Sequence, residues 1–430
     1  MVYRLDTDEN NFEQNFAKLI QKQQQTEAKV QQVVAAILEQ VKQQGDEALF
    51  ELTQKFDNLA LSSKNLRIDE KEINQGFEQT PREVVLALEM AHERIFSHHL
   101  QQKPQNSSYT DDFGVTLGTR WTPIDTVGVY VPGGLASYPS SVLMNAVPAR
   151  VAGVERVAMV VPTPNGQINP AVLAAAKIAG INEIYRIGGA QAIAALAYGT
   201  DLIKPVFKIV GPGNAYVAEA KRQVFGRVGI DMIAGPSEVL IIADETANIS
   251  WIATDLLAQA EHGSGARAIA IVPTKIMGDE LQREVLRQLK TMQRGDIAAK
   301  GWNDLGAIIV SSSADRSVEL ANIMAPEHLE LALDKPDDLV AKIKNAGAIF
   351  LGHHTPEAVG DYVGGSNHVL PTAQTARFTS GLGTMDFMKR TSLLHCTPAA
   401  LGAVGPATVT LANCENLEAH GRSVSIRLNR

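Results

Sequence analysis

Several residue types that mark particular classes of protein are scarce in this sequence. Two cysteines, Cys396 and Cys414, occur among 430 residues. Neither lies in a Cys-x-x-Cys motif, so the sequence predicts a reduced protein without a disulfide framework. No segment has the ~18 consecutive apolar residues of a membrane-spanning helix, and residues 1–6 lack the basic-then-apolar order of a signal peptide. We therefore expect a cytoplasmic protein that does not bind membranes.

Positive charge is also in short supply. The chain has 39 Lys and Arg against 47 Asp and Glu, a formal net charge of −8. A dedicated nucleic-acid surface needs a basic footprint, so no nucleic-acid partner is expected. The remaining composition, 45% apolar and 20% charged over 430 residues, is typical of a folded protein of two or three domains.

The pattern of apolar residues changes along the chain. Residues 8–56 are rich in Gln, Glu and Lys with apolar residues at helical spacing, and a further helix is predicted over 81–100. From about residue 124, short apolar runs alternate with helical segments such as 170–179 and 252–261. The predicted strands are 127–131, 157–161, 184–187, 208–210, 239–243, 268–272, 307–310 and 348–351.

Short strands separated by helices predict an α/β fold with parallel sheets. The two series of strands predict two doubly wound domains, with a boundary near 234–236 and a helical N-terminal region. The expected division has four parts. They are an N-terminal arm over 1–25, a larger domain made of 26–128 with 238–381, a second α/β domain over 129–237, and an extended tail or swapped arm over 382–430.

Glycine turns follow several predicted strands, at 132–134, 188–191 and 211–214. Ligands of open α/β sheets bind at the carboxyl ends of strands, where glycine lets a phosphate approach backbone N–H groups. However, no GxGxxG fingerprint opens a helix. A nucleotide site and ordinary loop punctuation therefore both remain open.

A possible metal site lies at the end of a predicted helix. Gln259 and His262 are three residues apart, so they share one helix face and can bind one ion. Asp361, in a predicted loop after a strand, and His420, in the tail, are further candidate ligands. The alternative is a surface helix end, because Gln-x-x-His is a weak motif and Gln is an uncommon zinc ligand.

An acid–base pair is a second candidate site. Glu327 and His328 follow a proline and an apolar segment. Histidine can take a proton from an alcohol near neutral pH, and a carboxylate can activate water. The alternative is a helix start, where proline and an acid in the first turn are common. His368 after a Gly-Gly turn is another site candidate, whereas Tyr130 is either a site residue or core.

Several long motifs together resemble one family. They are GPGNA at 211–215, IDMIAGPSEV at 230–239, DLLAQAEHG at 255–263, PEHLE at 326–330, GGSNHVLP at 364–371 and ENLEAH at 415–420. From about residue 25 to the C-terminus the chain resembles the histidinol dehydrogenases. The resemblance implies oxidation of L-histidinol to L-histidine, the last step of histidine biosynthesis, with two NAD and an aldehyde kept on the enzyme.

The resemblance also implies roles for particular residues. The zinc ligands, one ion per subunit, would be Gln259, His262, Asp361 and His420, and the catalytic pair Glu327 and His328. Ser237, His368 and Glu415 would contact substrate, as would the zinc ligands and His328. The NAD contacts would be Tyr130, Gln191 and Asn214.

The fold implied by the resemblance has two incomplete Rossmann-like domains that lack the glycine fingerprint. Family members are homodimers whose tails cross over, so Glu415 and His420 would enter the partner's site. One departure is the stretch 263–267 beside the metal motif, which is looser than expected but replaces no ligand.

Three other functions stay open. A paralogue on the same scaffold would oxidise another small alcohol, such as a sulfonated diol. A zinc hydrolase would use Glu327 to activate water without NAD, and a metal-binding protein would have no catalysis. Manganese or cobalt would also suit such nitrogen and oxygen ligands.

Overall fold

Two six-stranded sheets and one three-stranded sheet organise the chain in a computed structural model that describes residues 2–21, 28–133 and 138–429. The strands are β1 (Tyr3–Asp6), β2 (Arg67–Ile68), β3 (Ser107–Thr110), β4 (Val115–Pro123), β5 (Thr126–Tyr130), β6 (Arg156–Val160), β7 (Glu183–Tyr185), β8 (Lys208–Val210), β9 (Gly229–Ile230), β10 (Glu238–Ala243), β11 (Arg267–Val272), β12 (Ala307–Val310), β13 (His328–Ala332), β14 (Ala348–Leu351) and β15 (Met388–Cys396).

Helices connect the strands and cover both faces of the large sheets. They are α1 (Phe12–Gln21), α2 (Ala28–Gln44), α3 (Asp46–Asp57), α4 (Glu70–Gln79), α5 (Arg82–Gln101), α6 (Pro139–Ala152), α7 (Pro170–Ile178), α8 (Gly189–Tyr198), α9 (Ala215–Val224), α10 (Ile249–Ala260), α11 (Lys275–Leu289), α12 (Gly295–Leu305), α13 (Ala314–Met324), α14 (Asp337–Val340), α15 (Glu357–Tyr362), α16 (Pro398–Cys414) and α17 (Glu418–Ser425). Among the described residues, no helix is both long enough and apolar enough to cross a membrane.

The first large sheet has the strand order β2-β7-β6-β5-β8-β9, and the second has β1-β12-β11-β10-β13-β14. All neighbours are parallel except β2, which runs antiparallel to β7. Strands β10 and β11 are buried along their whole length, as expected for central strands of a parallel sheet covered on both faces. The predicted α/β class is confirmed, and each of the eight predicted strands has a counterpart.

The N-terminal region divides differently from the expectation. Strand β1 pairs with β12 at the edge of the second sheet, so the first residues are part of that sheet rather than an arm. Helix α2 buries Val34, Leu38 and Val41 in the core of the first sheet. Helices α4 and α5 also pack there, and β2 extends that sheet. Residues 28–101 therefore cover the first sheet, not the second as we expected for 26–128.

The C-terminal region also differs from an extended tail. Strand β15 pairs along nine residues with β4, and β3 completes a small antiparallel sheet. Helices α16 and α17 follow. Many apolar side chains of this region are exposed, among them Leu394 at 70% and Leu411 at 64%. Cys396 and Cys414 are free cysteines, the first partly buried and the second exposed.

A cleft lies between the two large sheets, and each sheet meets it with a different edge. The first sheet contributes the turn that follows β8, at its carboxyl edge. The second contributes the starts of β10 and β13, at its amino edge. The chain passes from one sheet to the other between Ile230 and Glu238. Because strands are aligned within each parallel sheet, each edge gathers side chains from distant parts of the sequence at this cleft.

Candidate active site and metal centre

The cleft between the two sheets has a volume of about 490 Å³ and is lined by most of the residues singled out from the sequence. These are Asn214, Ser237, Gln259, His262, Glu327, His328, Asp361 and His368. They come from six different segments, so the fold brings together what the sequence keeps up to 154 positions apart.

Strand β13 and helices α10 and α15 each place a polar side chain beside the cleft. On β13, side chains alternate, so His328 and Glu330 share one face while Leu329 and Leu331 enter the core on the other. Helix α10 carries Gln259 near its end, and α15 carries Asp361 near its end.

The same three elements also carry three acidic side chains, one on each element. Glu330 is two residues along β13 from His328, and Asp255 and Glu357 lie one helical turn before Gln259 and Asp361. We call Asp255, Glu330 and Glu357 the carboxyl row. The Glu357 N–H donates to Oε1 of Glu330 at 2.7 Å.

His328 lies between acidic groups. Its Nδ1 is 3.8 Å from Oε2 of both Glu327 and Glu357, and its Nε2 is 3.6 Å from Oδ1 of Asp361. Burial acts to lower the pKa of His328, but Glu357, Glu327 and Asp361 outweigh it and raise the pKa well above the usual value. The surroundings therefore stabilise the imidazolium form.

Glu327 is a buried carboxyl with a fixed orientation. Its Oε2 accepts a hydrogen bond from the Glu238 N–H at 2.9 Å. Burial raises the pKa of Glu327 to about 8, despite the opposing effect of His328. The neighbouring Glu238 is itself paired with Arg267 at 3.4 Å, and both side chains are almost inaccessible. A carboxylate with a raised pKa is a stronger base, which suits activation of water.

Gln259 has an unusual environment. It is fully buried at the cleft wall, and neither its amide oxygen nor its amide nitrogen has a hydrogen-bond partner among the described residues. Leaving such groups without a partner costs about 1–3 kcal/mol, so the side chain is suited to a ligand.

Together with Gln259, His262 and Asp361 form a set of three possible metal ligands that line the cleft. Although the His262 ring reaches solvent, desolvation by the cleft walls lowers its pKa, so the neutral imidazole that binds metals is favoured. Burial acts to raise the pKa of Asp361, but His328 brings it below its usual value, so the carboxylate is ionised. These donors fit a cation such as zinc.

His368 is held beside Asp361 by contacts of both its ring nitrogens. Its Nδ1 lies 2.9 Å from the Asp361 carbonyl oxygen and its Nε2 lies 3.2 Å from Oγ of Ser141. Burial lowers the pKa of His368, which favours the neutral ring. Ser141 comes from α6, so this contact joins helices over the first sheet to the second half of the site.

Glu357 was not singled out by the sequence reading. His328, Glu357 and Asp361 offer ligand atoms that all lie within 4.8 Å of one another, so they form a second possible metal group. The sequence spacing could have indicated Glu357 as a site residue, because it precedes Asp361 by four residues and therefore shares a helix face with it.

Comparisons with known proteins support the resemblance. The histidinol dehydrogenase family model matches residues 20–428. A histidinol dehydrogenase from Rhizobium meliloti is 57% identical over 429 residues, covering 100% of this chain and 99% of the relative. One from Agrobacterium fabrum has the same identity and the same coverage.

This chain belongs to the histidinol dehydrogenase family. The crystal structure of histidinol dehydrogenase from Elizabethkingia anophelis agrees, with a TM-score of 0.94 and 36% identity over 100% of this chain and 98% of that chain. The family consists of oxidoreductases.

Four residues that the family resemblance singled out do not line the cleft. Tyr130 is 3% exposed, and its hydroxyl accepts a hydrogen bond from the Gly189 N–H at 3.1 Å. Gln191 is 2% exposed on α8, beside the same glycine turn. Glu415 and His420 are exposed residues of the C-terminal region, outside the cleft. Gly134, part of the first predicted glycine turn, lies outside the described residues.

Two local interpretations of the sequence differ from the structure, one an alternative and one a prediction. Residues 326–330 do not begin a helix, because β13 starts at His328 and its alternate leucines fill the core. Asp361 does not lie in a loop but near the end of the short helix α15, which begins where Glu330 accepts the Glu357 N–H.

We expect substitution of Glu330 by Gln to change how stability depends on pH. Burial, together with Asp255, raises the pKa of Glu330 from 4.5 to about 8. Between these values the folded protein keeps a proton that the unfolded chain releases, so this group makes the wild type less stable as pH rises. Relative to wild type, Glu330→Gln should gain more than about 1 kcal/mol of unfolding free energy between pH 5 and pH 8.

Urea unfolding at both pH values measures the difference, and exposed Glu319→Gln is the control. Parallel pH dependences for wild type and Glu330→Gln would contradict the assignment.

Proposed function

We propose that this chain oxidises L-histidinol to L-histidine with zinc and two NAD, in two hydride-transfer steps through an aldehyde held on the enzyme. This is the last step of histidine biosynthesis, and we infer that it takes place in the cytoplasm. The main support is His328, a buried imidazole between carboxylates, in the same cleft as three possible metal ligands, Gln259, His262 and Asp361. The paired base and metal site suit an alcohol whose proton must leave as hydride departs.

The proposed zinc ligands are Gln259, His262 and Asp361, with His420 of a second copy as the fourth, one ion per subunit. The partnerless amide of Gln259 supports the first of these. Zinc bound there would hold the amine and imidazole nitrogens of histidinol and so fix its CH₂OH group.

The proposed NAD site is the carboxyl edge of the first sheet. Gly211 and Gly213 line the cleft there. A Cβ atom at Gly211 would lie 2.1 Å from the Tyr130 carbonyl oxygen, so only glycine lets the turn pass so close to β5. Asn214 would contact NAD directly, and Tyr130 and Gln191 would do so at the neighbouring turn. Each NAD supplies the redox chemistry by accepting one hydride.

His328 would act as the base of the first oxidation in its neutral form, which a divalent cation bound at Asp361 would favour by adding positive charge beside the ring. Its Nε2 has no hydrogen-bond partner among the described residues and is therefore available to the substrate hydroxyl. As His328 takes the hydroxyl proton, Glu357 and Glu327 stabilise the imidazolium that forms. The proton is thus held close to the reacting carbon.

Glu327 would act in the second oxidation. Its carboxylate would take a proton from water so that the aldehyde is hydrated, and the hydrate is then oxidised to the acid. The hydrogen bond from the Glu238 N–H keeps the carboxylate aimed in one direction. Ser237, His368 and Glu415 would contact the substrate, together with the metal ligands and His328.

A homodimer with shared sites would supply Glu415 and His420. Both are exposed on a C-terminal region whose apolar surface needs a cover, as Leu394 and Leu411 indicate. A second copy would bury this surface and bring the two residues to the partner's cleft. Binding of nucleic acid or membranes is no part of the proposal.

The ligand spacing favours one alternative, a metal bound by His328, Glu357 and Asp361. Such a site would use His328 as a ligand and leave no free base. It would also leave the Gln259 amide without a partner, so we prefer the first arrangement.

Substitution of His328 by Asn should lower kcat by ~10²–10⁴, as is typical for a lost general base, with zinc retained. Steady-state kinetics and metal analysis measure the two effects, and His98→Asn, on an exposed helix face, is the control. Unchanged turnover would refute the role of His328, and loss of zinc would favour the alternative metal site.

Substitution of Glu327 by Gln should slow the oxidation of the aldehyde more than that of the alcohol, because only the second step needs activated water. The two steps are followed separately, by single turnover with histidinol and with histidinal. Equal slowing of both steps would contradict this role.

Mixing two inactive variants should restore activity if the sites are shared. Asp361→Asn and His420→Asn each disable both sites of their own homodimers. A mixed dimer has one intact site, so co-expression should recover roughly a quarter of wild-type activity under random pairing. No recovery in isolated mixed dimers would show that His420 serves its own chain.

A further inference from the structure

A buried ion pair lies at the floor of the cleft beside the glycine turn at 211–214. Lys221 of α9 contacts Asp231, just after β9, and their side chains are 2% and 1% exposed. Both residues line the cleft. Burying two opposite charges brings little net stability, because the cost of removing them from water offsets their attraction. A role beyond stability is therefore worth testing.

The ion pair binds both backbone polar groups of Gly211, its N–H and its carbonyl oxygen. Gly211 donates its N–H to Oδ2 of Asp231 at 2.8 Å. The Lys221 Nζ donates to the carbonyl oxygen of Gly211 at 3.0 Å. Asp231 also accepts from the Met232 N–H at 2.7 Å with its other oxygen. Gly211 is thus fixed from both sides by opposite charges.

The rest of the turn is fixed at its far end. Asn214 accepts hydrogen bonds from the N–H groups of Tyr216 and Val217, which caps α9. At its near end, Gly211 has a φ of +114° and packs against the backbone of Tyr130. Between these two anchors, Pro212 and Gly213 face the cleft.

We propose that Lys221 and Asp231 are positioning residues for NAD, holding the turn at 211–214 in the shape that receives the dinucleotide. This inference rests on the NAD site proposed above. Neither residue needs to touch NAD. Their effect arises from preorganisation: a turn already held in its bound shape loses less conformational freedom when the ligand binds.

The test neutralises the pair in the zinc-loaded full-length enzyme. The double variant Lys221→Met/Asp231→Asn removes both charges, the Lys221 bond to Gly211 and at least one acceptor of the backbone N–H groups. Its Kd for NADH by calorimetry and its KM for NAD should rise about tenfold or more. Its zinc content and its KM for histidinol should change less than about twofold, and kcat at saturating NAD should fall much less than kcat/KM.

A matched control is an ion pair of the same sheet at its opposite edge. Arg156 and Glu183 pair at 2.7 Å at the starts of β6 and β7, away from the cleft. Arg156→Met/Glu183→Gln should leave the Kd for NADH at the wild-type value, whatever it does to thermal stability.

The outcomes separate the possible explanations. If wild type binds NADH and the Lys221/Asp231 double variant binds it equally well, the positioning role is wrong and the pair serves the fold alone. An equal loss of affinity in both double variants would also overturn it. Should wild type neither bind NADH nor use NAD, the proposed function fails and the inference fails with it.

The single variants guard against misfolding. Each leaves one buried charge without its partner, so Lys221→Met and Asp231→Asn should lower the melting temperature more than the double variant does. If the double variant is the least stable of the three, its binding data are replaced by those of Asp231→Asn, for which the same rise in the Kd for NADH is expected and an unchanged Kd would refute the role.

Discussion

The site depends on burying several carboxyl groups around one imidazole. A carboxylate removed from water without a partner is unfavourable, so such groups take up a proton or lie beside a cation. Glu238 has Arg267, and Glu327, Glu357 and Asp361 surround His328. The raised pKa values of Glu327, to about 8, and Glu357, to about 7, show that this compensation is incomplete. A divalent cation beside Asp361 would add the positive charge that the chain does not supply.

The position of these groups follows from how the sheets face each other. Open parallel sheets usually bind ligands at their carboxyl edge, and the first sheet presents the turn at 211–214 to the cleft at that edge. The second sheet contributes its amino edge, where β10 and β13 begin with Glu238 and His328. In the proposed reaction the carboxyl edge of the first sheet would bind the dinucleotide, and the amino edge of the second sheet would provide the groups that transfer protons.

Much of the fold could be predicted from the sequence because its central strands are short, apolar and bounded by turns. Strands 208–210, 307–310 and 348–351 agree with the structure to the residue. Strand β13 was not predicted, and Pro326 kept a helix start open as an alternative, although the alternation of His328, Glu330 and Ala332 with leucines is a strand pattern. The exposed strand β15 has no such alternation, and its pairing with β4 joins distant parts of the chain.

The candidate site could be predicted mainly through the family resemblance, since Gln259-x-x-His262 alone is a weak motif. Burial then added what no motif contains: the partnerless amide of Gln259, the carboxyl row and the paired Lys221 and Asp231. Helices over 28–101 were assigned to the wrong sheet because an amphipathic helix reveals that it has a buried face but not which sheet covers it.

The most direct test of the account is the amount of NADH formed per L-histidinol consumed, before and after a chelator removes the metal. We expect two NADH per histidinol, no NADH after chelation, and recovery when Zn²⁺ is added back. One NADH per histidinol with release of the aldehyde would contradict the two-step oxidation. Full activity in the metal-free enzyme would contradict the role of zinc, and no NADH from the zinc-loaded enzyme would contradict histidinol as the substrate.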